Sequence, residues 1–370
     1  MPPPPAIRPI RLLISCHSIS GYQAAMWRAM SALPELEVHV VAGTSNANFK
    51  PAVVEGLNVT LVPELALQDR EAMLELARAV APDVVAIGGW FLKGVAALVH
   101  EPEMERARFV LASDRPYLGQ LRQHLGRFVH RNLFRRVDKI MVPGERGFQL
   151  ALRLGFEERR IARGLYGVDM DRLGPLLERR VAAHGGRWPR RWLFMGRYHP
   201  DKGVDVLVPA YLEYRRLVAD PWPLSTMGSG EMSGLLRGVE GLTDLGFVQP
   251  SDQLAVLIDH GAMVLASRFD PWPLVVVEAC GAGLPVVCTE ACGSSVELVR
   301  SAYNGYLCAT EDPSSLALAM AKCHARGGEL ELMGRAGREL AGAYSAVAAA
   351  RRWADVCLEI VRARGGSPDR

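Results

Sequence analysis

Two carboxylates and two cations in the second half of the chain are placed to act together on one polar ligand. Asp270 and Glu278 stand eight positions apart in Ser267-Arg-Phe-Asp-Pro-Trp-Pro-Leu-Val-Val-Val-Glu278. The apolar run 263–266 precedes this segment and Pro285-Val-Val-Cys-Thr289 follows it. Those runs read as strands, and the segment between them as a turn that opens a helix. A helix N-terminus at the carboxyl end of a parallel strand gathers backbone N–H donors around an anion. Two acids there would repel a phosphate. They suit the hydroxyl groups of a sugar and a ribose that flank a diphosphate.

Arg197 and Lys202, in Gly196-Arg-Tyr-His-Pro-Asp-Lys-Gly203, follow one expected strand and precede an expected helix. Gly196 lets the backbone turn sharply and leaves room for a ligand. The two cations suit the charge that develops on a diphosphate leaving group, with no metal required. Each piece alone also has a plainer explanation. The 196–203 run could be a solvated turn, Asp270 a cap, and Glu278 a first-turn carboxylate favoured by the helix dipole. Their conjunction in one stretch is what points to a site.

Elements that could position these groups alternate almost from end to end. Expected strands are 12–15, 38–42, 59–62, 84–87, 109–112 and 140–142, with helices 22–32, 70–80, 91–99, 119–136 and 145–154 between them. A second series has strands at 192–195, 224–227, 243–248, 263–266 and 285–289, with helices near 204–218, 251–258, 275–282 and 313–325. Short β-branched runs alternating with helices mean βαβ units and parallel sheets covered on both faces. Gly-Pro, Gly-Gly and Trp-Pro clusters between 173 and 191 read as a linker. The chain is therefore expected to be α/β, with two Rossmann-like doubly wound domains, 1–175 and 190–345, and a last helix within 346–370 that completes the first. Such halves are expected to line a cleft with their strand carboxyl ends.

Composition agrees with a globular protein of two domains. The chain has 370 residues, 49% hydrophobic and 22% charged, and a net charge of +3 that argues for no nucleic-acid partner. Seven cysteines are scattered without a second ligand pair for zinc, so they read as reduced core residues and no metal site is expected. The proline-rich start has no apolar leader, and no run reaches the ~18 apolar residues of a spanning helix. These points suggest a cytoplasmic protein.

Several runs together resemble the retaining glycosyltransferases of the GT-B fold, in the family often labelled group 1. They are Asp270-x7-Glu278, Gly196-Arg-x4-Lys-Gly203, Asn304-Gly-Tyr-Leu-Cys308, and the small-residue loop Cys292-Gly-Ser-Ser-Val-Glu-Leu-Val299 before that Asn-Gly. Tyr166-Gly-Val-Asp169 is similar to the segment that closes the family's first domain, with Leu165-Tyr166 in place of the usual Pro-Asn. The resemblance implies a nucleotide-diphosphate sugar as co-substrate, a hydroxyl acceptor on a polysaccharide, glycolipid or small metabolite, and no further cofactor. It implies that Arg197 and Lys202 hold the diphosphate and that Glu278 meets the ribose. Asp270 would contact the transferred sugar, and the N–H groups of Leu274 and Val275 the phosphates. Gly228, in Gly228-Ser-Gly230, matches a short glycine loop near the base. Two departures bear on the sugar: Asp270 is one methylene shorter than the usual Glu, and Pro273 replaces a common glycine. A non-catalytic binder of sugar nucleotides and a GT-B sugar epimerase stay open. A nicotinamide enzyme is disfavoured, because Ser18-Ile-Ser-Gly-Tyr-Gln lacks the glycine fingerprint after the first strand.

On the acceptor side, Gly21 is either a close-approach position or an ordinary β–α turn residue, and Asp114, after strand 109–112, is the acid expected to reach the acceptor. The stretch 115–136 is basic and amphipathic. Leu118, Leu121, Leu125, Phe128 and Val129 form one stripe, with Arg122, Arg127, Arg131, Arg135 and Arg136 around it. Helix 119–136 suits either a sheet-covering position with a solvated basic face or peripheral contact with anionic lipid at the inner face of a membrane.

Overall fold

The computed structural model describes residues 8–44 and 51–365. Most of the proline-rich start and residues 366–370 of the expected closing segment lie outside the described residues. The chain divides into two compact units, one comprising the stretch up to Val168 with that from Ala346 onward, the other Asp169–Ser345.

The first unit is built on seven strands: β1 (Ile10–Cys16), β2 (Leu36–Gly43), β3 (Val59–Val62), β4 (Val84–Ile87), β5 (Arg108–Ala112), β6 (Lys139–Val142) and β7 (Ile161–Arg163). All pair in parallel, in the order β3-β2-β1-β4-β5-β6-β7. The period-two pleat sends neighbouring residues to opposite faces, so a strand apolar at every position must be covered on both. Leu12 and Ile14 of β1 join Trp27 and Met30 of α1 (Gly21–Ser31) on one face. Leu13 joins Met73 and Leu74 of α2 (Arg70–Val80) on the other, with Val95 of α3 (Lys93–Ala97).

The helix expected over 119–136 is broken at His130 into α4 (Leu121–Val129) and α5 (Arg131–Arg136). The break lets Phe134 reach the core beside Phe156, while α4 buries none of its residues. A sheet-covering role for α4 is thereby overturned. Next, α6 (Glu145–Arg153) buries Leu150 and Ala151.

The second unit has six parallel strands: β8 (Trp192–Met195), β9 (Leu224–Met227), β10 (Leu242–Asp244), β11 (Ala262–Leu265), β12 (Val286–Thr289) and β13 (Gly305–Cys308). Their order is β10-β9-β8-β11-β12-β13. The stretch 173–191 is more than a linker. After α7 (Met170–Leu173) it forms α8 (Leu176–Ala183), whose Leu176, Leu177 and Arg180 are buried in this unit. Around the sheet, α9 (Val204–Leu217) precedes α10 (Gln253–Ile258), α11 (Leu274–Gly281) and α12 (Ser295–Leu298), then α13 (Pro313–Ala325) and α14 (Leu330–Ala341). Helix α9 packs on α13, and α11 on α14. The final α15 (Ala346–Gly365) belongs to the first unit and packs on α1. Among the described residues, no helix is long and apolar enough to cross a membrane.

Candidate functional site

The segments carrying Gly196, Arg197 and Lys202, Gly228, and Asp270 to Glu278 follow β8, β9 and β11 respectively, adjacent strands in the middle of the second unit's sheet. Gly196 follows β8 and Gly228 follows β9, and a Cβ on Gly228 would sit 1.9 Å from the Gly196 carbonyl oxygen. Only glycine permits that approach. The loop after β8 then folds against the segment after β11. The backbone N–H groups of Arg268 and Phe269 donate to the Asp201 carbonyl at 2.8 and 3.2 Å. The Arg268 side chain clamps the same loop, donating to the Pro200 carbonyl at 2.9 Å and to both oxygens of Asp205 at 2.7 and 2.5 Å. Gly203 turns the chain into α9 with φ +65°, and a Cβ there would lie 2.1 Å from the Ala266 carbonyl.

This clamp brings Lys202 and Asp270 into an ion pair, the Nζ donating to Oδ2, with 16% and 9% of the two side chains exposed. A buried pair is held at a desolvation cost that needs further partners to offset it, and Asp270 has further interactions besides this one. Sixty-eight positions apart in sequence, the two groups meet because their loops share one sheet edge. Arg197, on the same loop, is exposed.

Helix α11 starts at Leu274, directly after Pro273. The amides of Leu274 and Val275 therefore fall in its first turn, where N–H groups have no intrahelical acceptor. Glu278 is the fifth residue of α11 and no acid occupies the first turn, so the expected first-turn placement is corrected. The reason is Pro273, whose fixed φ starts the helix early. Burial, not the helix dipole, governs this carboxyl: desolvation pushes it up to about 7, opposed by the Arg172 guanidinium of α7. Arg172 was not anticipated, although Asp169-Met-Asp-Arg172 directly follows a segment singled out in the sequence. Trp272 is buried against the Tyr344 ring at 5.6 Å.

The first unit carries its own cavity of about 270 Å3 at the carboxyl ends of β1, β4 and β5. Gly21 is the first residue of α1, and its neighbours Ser20 and Tyr22 line this cavity together with Asp114. Burial raises the Asp114 carboxyl, and the Tyr166 hydroxyl donates to its Oδ2 at 3.2 Å. Tyr166 also stands edge-on to Tyr22, ring centroids 5.6 Å apart. Its proximity to Asp114 was missed because 52 residues separate them in sequence. The one available signal was the Leu165-Tyr166 departure itself.

Among the described residues no group of three or more His, Cys, Asp and Glu could hold a metal. The seven cysteines are buried and unpaired, as compact hydrophobes.

Residues 189–326 match the protein family described as Glycosyl transferases group 1. The chain is 27% identical over 172 residues to an exopolysaccharide phosphotransferase of Streptomyces coelicolor, an alignment of 45% of this chain and 18% of that protein. It is 29% identical over 139 residues to the glycogen synthase of Mycobacterium tuberculosis, covering 36% of this chain and 33% of the relative. The chain thus spans a third or less of these curated relatives. In three dimensions it is similar to Anabaena HepE, solved in complex with UDP and glucose. The TM-score is 0.73 at 15% identity, over 95% of this chain and all of the other.

Proposed function

We propose that this chain, a GT-B protein whose residues 189–326 carry a group 1 glycosyltransferase domain, moves a sugar from a nucleotide-diphosphate donor to a hydroxyl acceptor. The single observation that carries the reading is the Lys202–Asp270 ion pair at the carboxyl end of the second unit's sheet, beside the first turn of α11. In this reading Arg197, Lys202 and the amides of Leu274 and Val275 take the diphosphate. Asp270 accepts hydroxyl groups of the transferred sugar, Glu278 accepts those of the ribose, and Gly196 and Gly228 leave room for the nucleotide. The cavity of Asp114 and Tyr166 takes the acceptor. Support for the donor comes from HepE, whose structure is described with UDP and glucose.

Transfer would retain the anomeric configuration and need no metal. The bond from the sugar's anomeric carbon to the diphosphate oxygen breaks, and a bond to the acceptor oxygen forms on the same face. The acceptor proton passes to the departing oxygen, so no strong protein base is required, and the two cations stabilise the charge left on the diphosphate. The exposed apolar stripe of α4 supports peripheral membrane contact as part of the same reading. Seven buried, unpaired thiols fit a reducing compartment.

The test is nucleotide release from a panel of nucleotide sugars, with and without added acceptors, and NMR of the product anomer. Lys202→Ala and Asp270→Ala are each expected to lower turnover by roughly 100-fold or more, the order seen when one such stabilising group is removed. Nucleotide binding without release from any donor would leave a binding protein instead. An inverted product would sink the retaining assignment.

A further inference from the structure

The face of α4 turned to solvent is the apolar one. Leu121, Leu125, Phe128 and Val129 are 83%, 60%, 65% and 74% exposed. On a 3.6-residue helix these positions share one side. The opposite side carries Gln123 and Gly126. Gln123 donates to the Pro116 carbonyl at 2.8 Å, and a Cβ on Gly126 would meet Leu154 at 3.0 Å. A helix seated on its own domain through Gln and Gly, with Leu and Phe outward, is inverted relative to an ordinary surface helix.

Beside the stripe lies a second cavity of about 330 Å3, lined by Arg127, Arg131, Arg135 and Arg160 with Phe128 and Phe156, and by no acid. Arg160 is fixed there. Its guanidinium donates to the carbonyls of Phe134 (2.8 Å), Asp138 (3.2 Å) and Val137, and stands 5.1 Å over the Phe156 ring. Arg127, Arg131 and Arg135 form no ion pair among the described residues. Arg127, Arg131 and Arg135, with the anchored Arg160 adding positive charge, surround a cavity without a carboxylate and match a phosphate, which guanidinium groups bind in paired hydrogen bonds. Phe128 belongs to both features, so the anion site and the apolar stripe are continuous.

We infer that this cavity takes the phosphate headgroup of an anionic phospholipid in a bilayer, while Leu121, Leu125 and Phe128 enter the acyl boundary next to it. The inference rests on the peripheral-contact part of the functional reading and gives it a headgroup site. Charge complementarity selects a phospholipid surface over an apolar protein partner. Exposed Leu and Phe beside paired phosphate donors fit one surface that presents both chemistries.

The experiment is sedimentation of the full chain with phosphatidylcholine vesicles or with vesicles enriched in phosphatidylglycerol, at low and high salt. Wild type is expected to pellet with the anionic vesicles only, and less so at high salt. Arg131→Gln with Arg135→Gln should lower partitioning about 30-fold. Leu125→Gln with Phe128→Gln should lower it at least about tenfold. All four residues are exposed, so the fold should persist. Arg106→Gln with Arg179→Gln removes the same charge from exposed positions elsewhere and should change little. Equal binding to neutral vesicles, or equal losses in the charge-matched control, would overturn the inference. So would saturable binding of free glycerol phosphate as strong as vesicle binding and indifferent to the Leu125 and Phe128 changes. Donor release assayed without lipid reports on the transferase reading separately. Its failure alongside the expected vesicle pattern removes that reading and leaves this one standing.

Discussion

Glu278 shows how position within an element sets the chemistry of a single side chain. A carboxyl held at about 7, above its ordinary 4.5, is easier to protonate in the folded chain than in the unfolded one. Between those two values the folded state binds more protons, so stability falls as pH rises through that window. The folded chain without ligand should lose on the order of 2 kcal/mol across it, a figure reduced from the full shift because Glu278 keeps some solvent. Glu278→Gln should flatten this slope and be the more stable form above about pH 7, read by thermal denaturation over a pH series. If Glu278 receives ribose hydroxyls, nucleotide-diphosphate affinity should rise with pH through about 7 in the wild type and not in the variant. An unchanged slope in Glu278→Gln would assign the dependence to another group. Asp114 shows the same effect of burial with a different neighbour, a tyrosine hydroxyl where Glu278 faces a guanidinium.

At the scale of elements, the site depends on α11 being held at both ends. Pro273 sets its start, and its far end is fastened by a fully buried arginine. Arg180 of α8 donates to the carbonyls of Ala282 and Gly283 at 2.9 and 3.3 Å and to that of Leu257 at 2.8 Å, under the Trp188 ring at 5.0 Å. One guanidinium thus ties the end of α11 to the end of α10. Arg180→Met fills the space but leaves those buried carbonyls without their donor, at a cost of about 2–4 kcal/mol. A lowered thermal midpoint for the second unit's transition is the expected reading. Arg180→Lys should fall nearly as far, because one ammonium lacks the planar fork that spans three acceptors. Full stability in both variants would show that solvent replaces the arginine.

For the whole molecule, the notable feature is that the end of the chain completes the unit formed by its beginning. Trp353, Cys357 and Ile360 of α15 share a core cluster with Trp27 and Met30 of α1 and with Leu12 and Ile14 of β1. Ending the chain after Ser345 would expose that face of the seven-stranded sheet. Loss of a large aromatic and its neighbours from a core costs several kcal/mol, comparable to a domain's whole stability. The truncated chain should therefore lose the first unit's calorimetric transition while residues 169–345 keep theirs. Two preserved transitions would mean that α15 is dispensable to the first unit.

The α/β class and most of the strands could be read from the order of residues alone. Parallel strands buried on both faces are written as short β-branched runs, and the glycines at 203 and 228 stand where the backbone approaches closely. The 204–217, 274–281 and 313–325 helices were legible to within a residue or so, because apolar spacing and a preceding proline or glycine are local signals. Elements without that contrast were missed. These include β13, whose Gly305-Tyr-Leu-Cys308 has no β-branched residue, and α8, whose Gly and Pro flanks imitate a linker. Only the tertiary structure paired Lys202 with Asp270 and Tyr166 with Asp114, turned the apolar side of α4 outward and gathered four arginines around one cavity. Those facts depend on which loops share a sheet edge and which side of a helix finds a neighbour, and both are fixed by contacts between residues far apart in the chain.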